Sequence, residues 1–87
     1  MTNPRCGKIR QLLEEALSPT SIEIIDESHK HIGHAGAAAG GGHFKVIIIA
    51  EKFTGLRLIA RHQLIYQALD SMMKSEIHAL SIDASAP

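Results

Sequence analysis

The sequence predicts one small α/β domain in which helices pack on a three-stranded mixed sheet, in the order helix, strand, strand, helix, strand. Apolar residues recur at helical spacing in two separated segments, and three further segments have the character of β-strands. The length agrees with this, because 87 residues suffice for one modest core and not for two domains.

The first helix is predicted to begin at residue 4. Asn3-Pro4 fits an N-cap followed by proline at the first helical position, and Ser18-Pro19 ends the element. The apolar residues of this segment recur every three or four positions: Cys6, Ile9, Leu12, Leu13, Ala16 and Leu17. The only cysteine lies on this apolar face, so we interpret it as a packed thiol, and the chain has no internal disulfide.

Three segments are predicted to be strands. In "SIEII", residues 21–25, Ile22 and Ile24 share one face, which is typical of a half-buried strand. "HFKVIIIA", residues 43–50, becomes apolar on both faces, which predicts a central strand covered on both sides, or nearly so. "IHALSIDA" predicts a third strand with four residues on one face: His78, Leu80, Ile82 and Ala84.

A second helical stripe runs from Leu56 to Lys74, after a turn at Thr54-Gly55. Its apolar members are Leu58, Ile59, Leu64, Ile65, Ala68, Leu69, Met72 and Met73. Polar residues lie mostly off the stripe, so the stripe is predicted to pack on the sheet as one helix, or as two with a break near residue 60.

This order of elements brings histidines together. The first two strands are expected to be antiparallel, and the last two parallel because a helix connects them. Parallel strands begin at the same end of a sheet, so His78 should lie beside His43. The Gly/Ala/His-rich loop at about residues 29–42 starts from that same end and carries His29, His31 and His34.

Composition and charge restrict the function. Nine basic and nine acidic side chains leave no net charge, which argues against a constitutive DNA-binding protein, although the six histidines add positive charge as the pH falls. No apolar run approaches the roughly 20 residues of a membrane span, and the N-terminus does not resemble a secretory signal. We therefore expect a cytoplasmic protein, or a protein of an organelle matrix if a targeting peptide was removed.

The residues alone leave the role of the loop open. It is either a hydrophilic connector with solvated histidines or a zinc- or nickel-binding segment, and the spacings H-x-H and H-x-x-H are weak signals. An enzyme is not favoured, because "GGGHF" precedes a strand rather than a helix and Asp26 and Ser28 have no oxyanion scaffold nearby.

Four segments together carry a family resemblance: "DESHKH", "HFKV", "FTGLRLIARHQLIYQAL" and "IHALSI". In this combination and spacing, which covers essentially the whole chain, the sequence resembles the BolA family. The resemblance implies a fold similar to a type II KH domain. It also implies partnership with a monothiol glutaredoxin around a shared [2Fe-2S] cluster, in iron homeostasis or cluster delivery. DNA binding as a transcriptional regulator, through a helix-turn-helix-like region, is the alternative function that it implies.

The same resemblance implies particular ligands. The histidine of the H-A-L motif is His78, and the loop ligand corresponds most naturally to His31, with His34 and His29 as alternatives. This chain cannot hold such a cluster alone, because it has a single cysteine. The partner must therefore supply the thiolates.

A basic group near the turn is the candidate contact for nucleic acid. Lys52, Arg57 and Arg61 would face phosphates if they formed one patch. The alternative interpretation is a solvated Arg61 beside a His62 that packs or caps locally. "GHAG", residues 33–36, resembles the GxxG loop of KH domains, but it joins two strands rather than two helices.

Overall fold

The computed structural model describes residues 4–27 and 42–87, and its elements follow the predicted order. They are α1 (Pro4–Leu17), β1 (Ser21–Asp26), β2 (Gly42–Ile49), a 3₁₀ turn (Glu51–Phe53), α2 (Leu58–Ala68), α3 (Asp70–Met73) and β3 (Ile77–Ser85). The predicted loop lies outside the described residues, apart from Gly42, which opens β2.

The sheet has the strand order β1-β2-β3, so β2 is central. β1 is antiparallel to β2 and β3 is parallel to it, as predicted. The first helix begins at Pro4 and ends at Leu17, before Ser18 with its positive φ of 46°. The predicted turn at Thr54-Gly55 is also present, and Gly55 has the φ of 79° that glycine adopts readily.

The hydrophobic core lies between one face of the sheet and the helices. Its buried members are Cys6, Ile9, Leu13, Leu17, Phe44, Val46, Ile48, Ala50, Phe53, Ile65, Leu69, Met72, Ile77 and Ala84. The packed thiol predicted for Cys6 is therefore confirmed, since its exposed fraction is 8%. No described helix is long and apolar enough to cross a membrane.

β2 is the central strand, as predicted, but only one of its two faces is fully buried. Every second residue of β2 from Gly42 onward is buried, whereas the residues between them are only half-buried. The half-buried residues define the open face of the sheet: His43, Lys45, Ile47 and Ile49. Buried residues of the described helices all join the core cluster with Phe44, Val46 and Ile48, on the opposite face of β2.

The long helical segment breaks at Leu69 rather than near residue 60. Leu69 has φ −99° and ψ 10°, which ends α2, and its carbonyl accepts the N–H groups of Met72 and Met73 to start α3. The bend keeps Ile65, Leu69 and Met72 in the core.

The first turn of α2 departs from the predicted packing. Leu58 and Ile59 belong to the apolar stripe, but their exposed fractions are 63% and 68%. They follow a turn in which Thr54, Gly55 and Arg57 are also exposed. The apolar stripe therefore faces the core only from the second turn of α2 onward.

The start of β3 contains a bulge. Gly42 lies opposite Ile77, but the next residue, His43, lies opposite Ala79, so His78 is the extra residue of β3. The extra residue shifts the alternation by one, which leaves Ile77 buried and His78 exposed. The prediction that His78 shares a face with the apolar residues of β3 is therefore wrong.

Candidate metal-ligand site at the histidine end of the sheet

Two imidazoles lie side by side where β2 and β3 begin, which we call the histidine end of the sheet. The ring centroids of His43 and His78 are 5.1 Å apart and the rings are tilted by 47°. His43 is half-buried on the open face and His78 is exposed. The predicted convergence of His43 and His78 is therefore confirmed.

The backbone around His78 is held from two directions. Gly42 donates its N–H to the carbonyl of Glu76 at 3.1 Å, which fixes the start of β3 against β2. The Glu76 carboxylate also bonds the Lys8 ammonium of α1 at 2.9 Å. A partly exposed ion pair stabilises the fold only modestly, but it fixes where β3 starts relative to α1.

Sequence reasoning missed this support for His78. Lys8 and Glu76 are 68 residues apart, and neither lies in a motif. The bulge was missed as well, because a one-residue register shift leaves no mark on an alternation that looks regular. Gly42 was the available signal, since glycine in a strand often accompanies a bulge or a close backbone approach.

The only thiol of the chain cannot act as an accessible ligand. Burial raises the pKa of Cys6, and the nearby Asp26 carboxylate raises it further, while Arg10 opposes them. A raised pKa keeps the sulfur protonated at neutral pH, and metal binding needs the thiolate.

The described residues do not form a complete metal site by themselves. No group of three or more His, Cys, Asp or Glu side chains among residues 4–27 and 42–87 is arranged to hold a metal ion. The predicted loop ligand His31, with His29 and His34, lies outside the described residues. His78 is therefore the predicted ligand that the structure places at the surface.

The predicted basic patch is not gathered into one free surface. The Lys52 ammonium donates to the carbonyl of Ala16 at 2.9 Å, near the C-terminal end of α1. The Arg61 guanidinium donates to the carbonyl of Ala84 at 3.1 Å, on β3. Arg57 precedes α2 and is exposed. Lys52 and Arg61 thus bond backbone carbonyls in different parts of the fold, which leaves Arg57 as the most available of the three cations.

Fold and site together define a small α/β domain that presents imidazoles at one end of a three-stranded mixed sheet. The family model for BolA-like proteins matches residues 13–87, which includes both histidines. The chain therefore belongs to the BolA family.

Individual relatives agree with this assignment. SufE-like protein 1, chloroplastic/mitochondrial, of Arabidopsis thaliana is 41% identical over 85 residues, which cover 92% of this chain but only 23% of that protein. The DNA-binding transcriptional regulator BolA of Escherichia coli is 36% identical over 86% of this chain and 69% of its own length.

A solved structure matches the whole fold. The BolA domain of SufE1 from Arabidopsis thaliana superposes with a TM-score of 0.87 at 40% identity, and the match covers 100% of this chain and 96% of that domain. The α/β architecture with a three-stranded mixed sheet is thus that of solved BolA domains.

Proposed function

We propose that this protein is a non-enzymatic, cytoplasmic adaptor that joins a monothiol glutaredoxin through a shared [2Fe-2S] cluster, in iron homeostasis or cluster delivery. The observation that carries the proposal is the pair formed by His43 and His78, 5.1 Å apart at the histidine end. His78 is the fixed ligand, and His31 is the loop ligand, with His34 and His29 as substitutes.

The donor set fits a cluster held jointly and not one held by this chain. His78 supplies an exposed imidazole, and imidazole is a known replacement for thiolate on a [2Fe-2S] centre. The single cysteine is buried and protonated, so the thiolates must come from another protein. Bound in this way, the cluster would have a higher reduction potential than one with four thiolates.

His43 is proposed as the residue that positions His78. It lies beside the His78 ring, and its backbone in the central strand β2 is fixed by the bond from the N–H of Glu27, the residue after β1, to the His43 carbonyl at 2.7 Å. A ring held by a neighbour loses less conformational entropy when it binds, so the contact favours ligation by His78.

The reconstituted complex with a monothiol glutaredoxin tests the ligand assignment. Pulsed EPR of the reduced cluster should show nitrogen coupling in the wild-type complex, and His78→Ala should abolish the His-type spectrum. His31→Ala should weaken or shift it, because His29 and His34 offer substitutes, and replacement of all three should resemble the loss of His78.

Two further variants separate positioning from general damage. His43→Ala should retain nitrogen coupling while weakening the complex, since it removes a neighbour of the ligand. His62→Ala is the matched control, because His62 is a half-buried histidine on α2, whereas His43 and His78 lie on the sheet. If His78→Ala leaves the spectra and the affinity unchanged, the proposal is wrong.

A second candidate function is DNA-binding transcriptional regulation. It is supported by the Escherichia coli relative, whose name describes that activity, and by the exposed Arg57 in the turn before α2. Both functions can reside in one chain, because Arg57 precedes α2 whereas His78 lies on β3.

A further inference from the structure

β3 is an edge strand with backbone groups directed away from the sheet. The carbonyls of Glu76 and Ser85 accept bonds from the N–H groups of Gly42 and Ala50, at either end of the β2–β3 pair. After the bulge the strand alternates regularly, so the odd-numbered residues up to Ser85 direct their backbone groups to β2. The even-numbered residues direct theirs outward: Leu80, Ile82 and Ala84.

The outward groups differ in whether they have partners. The Ala84 carbonyl accepts the bond from Arg61, which closes that end of the strand. For Leu80 and Ile82, no hydrogen bond of their outward N–H and C=O groups is found among the described residues. The other edge of the sheet, formed by β1, is better covered, because α1 packs along β1 and Arg10 bonds the carbonyl of Ile22 at 3.3 Å.

Apolar side chains border these unpaired groups. Leu80 and Ile82 point toward the helices but are only half-buried, because no strand lies beside them. On α2, Leu64 and Ala68 lie on the same side of the helix as Arg61, and they are also half-buried. The side of β3 that faces away from β2 therefore combines unpaired backbone groups with an apolar border. These are the features that an added strand recognises.

We propose that this side of β3 pairs with β3 of a second copy of the chain, antiparallel and centred on Ser81. Leu80 of each copy then lies opposite Ile82 of the other, and the two pairs exchange four backbone hydrogen bonds. This register uses the unpaired groups of Leu80 and Ile82 and stops before the Ala84 carbonyl that Arg61 occupies.

The register also suits the exposed side chains of β3. On the open face, Ser81 meets Ser81 of the second copy across the two-fold axis, and Asp83 lies opposite Ala79. No like charges face each other directly. A net charge of zero further lowers the repulsion between two copies. These features favour a second copy over an unrelated strand.

Sedimentation measures the self-association directly. Four hydrogen bonds and a short apolar border make a small interface. We therefore expect weak, reversible dimers with a dissociation constant between about 10 µM and about 1 mM. Ser81→Lys places two ammonium groups face to face and should raise the dissociation constant roughly tenfold or more, whereas Ser81→Thr should leave it unchanged or lower it. If the wild-type chain stays monomeric at the upper end of this concentration range, the proposal is overturned.

Disulfide trapping tests the register independently of affinity. Ser81→Cys should cross-link rapidly under mild oxidation, because directly opposite residues bring their Cβ atoms to about 5 Å. Asp83→Cys is the matched control on the same face, since two such cysteines would lie about 13 Å apart. The wild type, with only the buried Cys6, gives the background. Equal cross-linking of the two variants would exclude this pairing. Neither experiment involves a cluster or a glutaredoxin, so the outcome is separate from that of the proposed function.

Discussion

A single extra residue in β3 gives His78 its exposure. Without the bulge, the regular alternation of β3 would direct residue 78 toward the core, with Leu80 and Ile82. The insertion leaves Ile77 in the core and places His78 beside His43. A bulge next to a functional residue is a common way of re-aiming a side chain.

The convergence of these two histidines was predictable, and the local geometry was not. Parallel pairing follows from the helical crossover, which the sequence reveals through its period. The bulge depends on how Ile77 fits the core and on the bond from Gly42 to Glu76, which are tertiary contacts. Alternation read along one strand cannot contain that information.

Cys6 is expected to be a poorly reactive thiol. Its pKa is raised above the ordinary value of 9.0, mainly by burial and then by Asp26. Ellman's reagent at pH 8 should therefore modify the native protein at least about tenfold more slowly than the urea-unfolded chain. Equal rates would show that the thiol is exposed.

Because the pKa of Cys6 is raised in the folded state, the stability of the protein should fall as the pH becomes alkaline. The thiol of the unfolded chain ionises more readily than the buried thiol. The contribution of the buried, neutral Cys6 thiol to the free energy of unfolding is therefore complete below about pH 8. It is lost as the pH rises through the unfolded pKa toward the folded one. Cys6→Ala should flatten the fall in stability between neutral and alkaline pH, measured by urea unfolding.

At the scale of elements, the bend at Leu69 determines which part of the long helical segment packs. Ile65, Leu69 and Met72 are buried, and they span the end of α2 and the start of α3. The sequence predicted the stripe, with a possible break near residue 60, but not the break at Leu69, because leucine is an ordinary helix-forming residue. The break follows from the sheet surface against which the stripe packs.

Leu69 and Leu58 form a matched pair for testing this packing. Leu69 is fully buried, so Leu69→Ala should lower the free energy of unfolding by roughly 2–5 kcal/mol. Leu58 is mostly exposed, so Leu58→Ala should change it by less than about 0.5 kcal/mol. Urea unfolding monitored by circular dichroism gives both values. Similar losses for the two variants would contradict the packing described for this helix.

At the scale of the whole molecule, zero net charge limits any long-range attraction to DNA. The prediction from sequence combined Lys52, Arg57 and Arg61 into one patch, but Lys52 and Arg61 bond backbone carbonyls. Those bonds join residues 36 and 23 positions apart, so a sequence pattern could not show them. Arg57 is the better candidate for a phosphate contact.

DNA binding, if present, should depend on salt and on pH. The affinity should fall steeply as salt rises, and Arg57→Ala should flatten that slope by about one. Protonated histidines should strengthen binding near pH 5.5. Lys74→Ala, which removes an exposed cation at the end of α3, is the control. A gel-shift series without retardation at low salt and either pH would exclude the DNA-binding alternative.

In the proposed function, His78 is the ligand through which this chain joins a cluster carried by a glutaredoxin. A titration of cluster-loaded monothiol glutaredoxin, followed by visible circular dichroism, tests it most directly. Wild-type and His62→Ala chains should change the spectrum to a saturating endpoint at an equimolar ratio, whereas His78→Ala should leave the glutaredoxin spectrum as it was. If His78→Ala reaches the same endpoint with the same affinity, His78 is not the ligand and the cluster does not join the two proteins through it.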